Sequence, residues 1–285
     1  MPTAPLPLHC RRFGDEAAEP LLLVHGLGSS GEDWAFQIEP MAQRFQVLVV
    51  DLPGAGRSPA PAQHSIAGYA RSLLDLLDAL RLPRVGLLGF SLGGAVAIEL
   101  ALQAPDRVSR LLTINSLPSY RADTWRKKWE LHGQLTLVRV LGLRRAARLV
   151  AKRLFPHPHQ AAMRARVVEV FGAQNKTIYI AQAKALAAWC ARARLPQLLM
   201  PHLMLAAEHD YTALAEKQIW AQAMGAELRV VLGSRHGTPF DSIAATEAVS
   251  LAFFGAQALP EDLRVDPPDA APRAAPNVLD ALRAP

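Results

Sequence analysis

Gly89-Phe90-Ser91-Leu92-Gly93 follows directly on the apolar run at residues 85–88 and leads directly into a helical pattern over residues 92–103. A serine placed between a buried strand and a helix sits on a sharp turn that holds its hydroxyl clear of the sheet. Such a turn tolerates little bulk two residues to either side, where Gly89 and Gly93 stand. The N-terminus of the following helix favours negative charge beside that hydroxyl. A Gly-x-Ser-x-Gly pattern alone says little. In a strand–turn–helix context it marks Ser91 as a nucleophile.

Outward from this turn the chain alternates strand and helix. Further short β-type runs occupy residues 21–25, 47–51, 111–115, 203–207 and 228–232. Most are continuous Leu/Val/Ile stretches without alternation, as expected of strands buried on both faces of a parallel sheet. Ser65 is placed to cap a helix whose apolar face uses Ile66, Tyr69, Leu73, Leu76, Leu77 and Leu80, and residues 213–225 and 241–254 read as helices too. The expected fold class is therefore α/β, with a mostly parallel central sheet flanked by helices.

The alternation stops between residues 119 and 196, where only helical patterns occur, so this stretch is read as an all-helical insertion. In it Leu143, Ala147, Val150 and Leu154 share one face, and Arg145, Arg148 and Lys152 another. The expected organisation is a core of residues 1–118 and 197–255, the insertion 119–196, and a Pro/Ala-rich tail 256–285 expected to be disordered.

With 51% apolar residues the bulk of the chain can bury a full core, which excludes disorder there. No uncharged apolar stretch approaches the roughly 18 residues that cross a bilayer. The opening residues lack the basic and apolar regions of a secretory signal. Cys10 and Cys190 make neither a disulfide framework nor a zinc site, so both are read as reduced thiols of a cytoplasmic protein. A net charge of +6 first suggests nucleic acid, but residues 119–196 alone carry 16 Lys and Arg against 3 acidic residues, and the rest of the chain is net negative. Without interleaved aromatics this is no RNA-stacking surface.

Four more segments carry weight. His25-Gly26-Leu27-Gly28 follows the first buried run, and Asp51-Leu52-Pro53-Gly54-Ala55-Gly56-Arg57-Ser58 the next. Glu208-His209-Asp210 and Ser234-Arg235-His236-Gly237 follow the last two. With the serine turn, these make the sequence resemble a serine hydrolase of the α/β-hydrolase fold over roughly residues 8–254. The resemblance implies that the helical insertion acts as a lid. It implies a triad in which Ser91 attacks an acyl carbon, His236 moves the proton and Asp210 orients the histidine. Glu208 and Asp241 stand close enough in sequence to compete with Asp210. The oxyanion would rest on the backbone N–H groups of Leu27 and Leu92. His25 is expected to shape that loop by hydrogen bonding.

A serine nucleophile argues against the dehalogenase and epoxide-hydrolase chemistry found within this fold. Relatives that cleave carbon–carbon bonds often carry Trp after the catalytic histidine, where this chain has Gly237. The stretch His236-Gly237-Thr238-Pro239-Phe240 is similar to that of carboxylesterases such as the pimeloyl-carrier-protein methyl esterases. The expected activity is hydrolysis of a small-molecule carboxylic ester through an acyl-enzyme, with no metal and no cofactor. The alternatives are an enol-lactone or thioester hydrolase with the same triad, or a non-catalytic binding protein of this fold. Trp34 is read as core or pocket wall, and Trp125 and Trp129 as packing of the lid or lining of the acyl pocket, so all three are candidate substrate contacts. Arg145, Arg148 and Lys152 are candidates to meet an acidic acyl carrier or a CoA thioester.

Overall fold

The computed structural model describes residues 6–268 and Leu282. Its frame is a seven-stranded sheet: β1 (Cys10–Phe13), β2 (Pro20–Val24), β3 (Gln46–Val50), β4 (Val85–Phe90), β5 (Val108–Ile114), β6 (His202–Ala207) and β7 (Glu227–Val231). The spatial order is β1-β3-β2-β4-β5-β6-β7. Only β1 runs antiparallel to its neighbour; the other pairs are parallel. β1 escaped the sequence pattern because Arg11 and Arg12 interrupt it at the sheet edge, where one side of the strand meets water.

The continuous apolar runs serve two cores at once. Leu22, Val24, Leu48, Val50, Leu87 and Leu111 project to one face, packed beneath α2 (Ile66–Ala79) and α3 (Leu92–Gln103). Leu21, Leu23, Val47, Val49, Leu88 and Leu112 project to the other, with α1 (Ile38–Ala42) and α10 (Ile243–Phe254) over them. Ser65 caps α2 as its type predicts, its Oγ accepting from Gly68 N at 3.0 Å.

Between β5 and β6 lie α4 (Trp125–Leu141), α5 (Leu143–Leu154), α6 (Ala161–Gly172) and α7 (Lys176–Ala188). Leu143 and Ala147 of α5 are buried, Val150 and Leu154 half-buried, and Arg145, Arg148 and Lys152 face solvent, as their spacing requires. Beyond β6, α8 (Leu214–Ala223) packs on β6 and β7. The helix expected at 241–254 is two: the single turn α9 (Thr238–Asp241) and α10, separated at Ser242.

The tail requires a correction. Residues 256–268 are not loose chain. Leu263 is 3% exposed, Arg264 bridges to Leu232 alongside β7, and the Asp266 carboxylate accepts from the first α10 amides, Ile243 N at 2.7 Å and Ala244 N at 3.2 Å. A buried leucine, a helix-capping carboxylate and backbone bonds to Leu232 and Asp241 hold a Pro-rich segment whose composition suggested disorder. Apart from Leu282, the remainder of that expectation, 269–285, lies outside the described residues. Among the described residues no helix is long and apolar enough to cross a membrane.

Candidate active site

Ser91 stands at the C-terminal end of β4 with φ 52° and ψ −114°, in the left-handed half of the map that residues with a Cβ rarely enter. What holds it there is close packing by glycine. A Cβ on Gly89 would lie 2.5 Å from Gly93 O, and one on Gly93 would lie 2.1 Å from Val24 O. Ser91 N donates to Ile114 O at 2.9 Å, and Ser116 Oγ donates to Ser91 O at 2.8 Å, so both neighbours across β5 fix the turn.

His236 arrives on the loop after β7. Its Nε2 is 3.0 Å from Ser91 Oγ, and its Nδ1 is 2.5 Å from Asp210 Oδ1. Three groups distant in sequence are thereby joined in one line, in the geometry of nucleophile, base and orienting carboxylate. Glu208 and Asp241 are engaged elsewhere: Glu208 accepts from Gly233 N at 2.8 Å, and Asp241 from Ser234 Oγ at 2.7 Å and Arg235 N at 3.1 Å. Those bonds shape the loop carrying His236. The imidazole packs against two rings, Phe90, tilted at 5.3 Å, and Tyr211, stacked at 4.6 Å.

Asp210 is 2% exposed at its side chain. Burial pushes its carboxyl up, but His236 and then the Lys217 ammonium outweigh burial and hold it at about 2. Oδ1 also accepts from Tyr211 N at 2.7 Å, and Oδ2 is 2.5 Å from Lys217 Nζ. Asn115, with φ 48° at the end of β5, ties this corner together. Its Nδ2 donates to the carbonyl of His236 at 2.8 Å, and its Oδ1 accepts from Ala207 N at 2.7 Å.

The loop at residues 25–28 is shaped from beneath. His25, fully buried, accepts from Leu52 N at Nε2 (3.0 Å), so its proton is on Nδ1, donated to Gly26 O at 2.8 Å. Asp33 accepts from Gly26 N at 3.1 Å and also from Ser29 Oγ. Burial raises the Asp33 carboxyl, with His25, Ser29 and Gly26 working against it. Leu27 and Ser91 line one cavity, and Leu92 opens α3, where helix amides lack intrahelical acceptors.

That cavity, about 1160 Å³, runs from Ser91, His236 and Tyr211 into the insertion, where Leu137, Val150, Leu154, Val167 and Val170 make an apolar wall. Trp129 lines it, but Trp34 and Trp125 do not. Trp34 is fully buried in the core beside Ile38 and Met41, and Trp125 is 74% exposed on α4. Nor do Arg145, Arg148 or Lys152 reach it. The first two border a separate shallow groove with Arg144 and Lys176, because the face of α5 opposite them is the one that packs. The basic residues at the cavity are Arg126, Lys127, Arg153 and Arg166. A Trp in place of Gly237 would meet Phe155, whose ring lies 2.9 Å from where even a Cβ would stand.

Sequence reasoning missed Asn115, Lys217, Tyr211 and Asp33. Asn at the end of a strand is a legible hint of left-handed backbone. Nothing in the pattern around Lys217 distinguishes it from a solvated helix lysine.

Comparison with known proteins agrees with this fold. The family model described as alpha/beta hydrolase fold matches residues 19–242. A putative carbamate hydrolase RutD of Agrobacterium fabrum is 30% identical over 208 residues, 69% of this chain and 77% of the relative. The pimeloyl-[acyl-carrier protein] methyl ester esterase of Vibrio campbellii is 40% identical over 123 residues, 42% of this chain and 45% of the relative. The crystal structure of an enol-lactonase from Burkholderia xenovorans LB400 superposes with a TM-score of 0.78 at 25% identity, covering 87% of this chain and 96% of the other. Several curated relatives are matched over less than half their own length, from 28% to 45%.

Proposed function

Since the chain belongs to the α/β-hydrolase fold family, we propose that it is a serine hydrolase cleaving a carboxylic ester through an acyl-enzyme. The observation that carries this reading is the unbroken line from Ser91 Oγ through His236 to a buried, ionised Asp210. Ser91 Oγ attacks the acyl carbon while His236 Nε2 takes its proton. The tetrahedral oxyanion rests on the amides of Leu27 and Leu92, and protonated His236 releases the alcohol. Water, activated in the same way, then frees the acid. Asp210 keeps the imidazole in the tautomer that leaves Nε2 free to accept, and offsets the charge formed on it.

The apolar wall from α4 to α6 supports an ester with an extended aliphatic acyl group. Free thiols at Cys10 and Cys190 support a cytoplasmic setting. The exposed basic residues of the insertion suit an anionic substrate portion, such as a CoA thioester or an acidic acyl carrier. The enol-lactonase neighbour supports a second reading, in which the leaving alcohol stays tethered within one ring-opened product and the same three residues act. The intact triad weighs against a non-catalytic binding protein.

The test is turnover of p-nitrophenyl esters of graded chain length, with fluorophosphonate labelling. Wild-type protein is expected to label once, at Ser91, and Ser91→Ala to lose turnover by roughly four to six orders of magnitude with its melting temperature retained. Labelling that persists in Ser91→Ala would overturn the reading. A single ring-opened product from an enol-lactone, with negligible turnover of open-chain esters, would favour the second.

A further inference from the structure

Lys217 stands directly behind the triad. It lies in the first turn of α8 and is 1% exposed, with Nζ 2.5 Å from Asp210 Oδ2, 3.2 Å from Asn115 Oδ1 and 3.4 Å from the Ala207 carbonyl. It does not line the cavity. Folding alone is a poor account of it. Burial disfavours the ammonium, and the first turn of a helix is the positive end of the helix dipole. A buried ion pair is seldom more stabilising than an apolar pair of similar volume.

The chemistry gives a better account. In the resting state His236 must be uncharged to act as a base, which leaves Asp210 a buried negative charge with a neutral partner on Oδ1. The other oxygen then needs a donor, and a cation satisfies both requirements. We propose that Lys217 is a positioning residue of this site: its ammonium neutralises Asp210 in the resting state and holds the carboxylate so that Oδ1 faces His236 Nδ1. This rests on the serine-hydrolase reading above.

A functional consequence follows from the charges. A neutral residue at this position removes the positive charge 2.5 Å from Asp210 Oδ2, so the pH profile of such a variant is expected to differ from that of the wild type. The other ionisable groups facing the pair leave that argument intact. Burial pushes the phenols of Tyr120, beside β5, and Tyr211 up to about 12, and that of Tyr179 on α7 upward too. Arg153 reaches Tyr211 from α5 with a charge that does not change with pH. Glu216 precedes Lys217 and lies near Trp220 Nε1 at 3.5 Å, while Glu208 and His209 pair with each other at 3.7 Å, where both are half-exposed to solvent.

The experiment compares wild type, Lys217→Met and Lys217→Gln in kcat/KM for a neutral p-nitrophenyl ester from low to high pH, with melting temperatures alongside. Both neutral variants are expected to move the acidic limb of the profile up by about one pH unit. At the alkaline plateau kcat should fall roughly tenfold in Lys217→Met and less in Lys217→Gln, which keeps a donor for Oδ2. KM should change less than about twofold, because Lys217 does not touch the cavity. Lys217→Arg, which keeps the charge, should leave the limb in place. A lowered melting temperature with an unmoved limb would mean that Lys217 serves the fold alone, and so would failure of both neutral variants to yield folded protein. Either result, with turnover still dependent on Ser91, overturns this proposal and leaves the hydrolase reading standing. Turnover independent of Ser91 overturns the hydrolase reading itself.

Discussion

In strands β2 to β6 nearly every side chain is buried on both faces of the sheet, whereas apolar residues of the helical insertion reach solvent: Trp125 is 74% exposed, Val140 74% and Leu149 46%. The insertion's own core is a small cluster around Val138, Leu143, Ala147 and Phe171. The sheet fixes Ser91, Asp210 and His236 just beyond the C-terminal ends of β4, β6 and β7, with hydrogen bonds from Asn115 at the end of the intervening β5 tying the corner together. The insertion contributes surface to the cavity and none of these three residues. Close packing holds atoms to tenths of an ångström, and looser packing leaves a wall whose shape can vary. Substitutions in the sheet layer should therefore affect every substrate alike. Those in the insertion should affect some substrates and spare others.

The strongest test of that division is Asp210→Asn. It should lower kcat by roughly three to four orders of magnitude on short and long esters equally, since it disturbs the histidine and not the cavity. Asp241→Asn loosens the His236 loop and should lower the melting temperature while kcat of the folded enzyme stays within about threefold. If Asp210→Asn harmed only long-chain esters, the division between chemistry in the sheet and selection in the insertion would fail.

Next in size is an effect on stability. Residues 258–266 sit with the sheet layer, so Leu263→Ala combined with Asp266→Ala should destabilise the protein by roughly 3 kcal/mol, through a lost buried leucine and a lost helix cap. In a domain of this size that lowers the melting point by roughly 10 °C. A change under about 2 °C would return this segment to the loose tail that its composition suggested.

How much of this was legible follows the same division. The strands, the serine turn and the order of Ser91, Asp210 and His236 were readable because backbone geometry dictates residue type there. Only glycine fits at Gly89 and Gly93, and doubly buried strands demand unbroken apolar runs. Lys217 and Asp33 were hidden because their roles depend on contacts across the fold that no local spacing encodes. Trp34 and Trp125 could not be settled between core, packing and pocket for a related reason. An indole suits a core, a pocket or a surface, and only the packing of its helix decides. The tail misled because composition averages over a segment in which a buried Leu263, the Asp266 cap and backbone bonds to Leu232 and Asp241 make specific contacts.

A smaller effect is expected at the cavity wall. Val170→Trp on α6 should lower kcat/KM for the longest accepted acyl ester by roughly tenfold and leave the acetate ester within about twofold, since the added ring fills part of the cavity's apolar wall. Equal losses on both esters would mean that the insertion reaches into the chemistry.

The smallest expected effect concerns charge. Arg145, Arg148 and Lys152 face solvent and border no part of the main cavity, so whatever they do must act through the field. Exposed charges are individually weak, but 16 basic residues against 3 acidic ones over residues 119–196 leave the insertion strongly net positive, and a summed field of that sign would attract anions. At an ionic strength near 0.1 M the screening length is about 10 Å, so steering should fade within the ordinary salt range. For a substrate joined to CoA or to an acidic carrier, kcat/KM should fall about threefold to tenfold as salt rises through that range, while a neutral ester stays flat. Changing Arg145, Arg148 and Lys152 together to Gln should flatten the charged substrate's response without altering kcat on the neutral ester. If both substrates respond alike to salt and to the triple change, the charge serves only to solvate a helical surface. The insertion's selectivity then rests on the shape of its apolar wall.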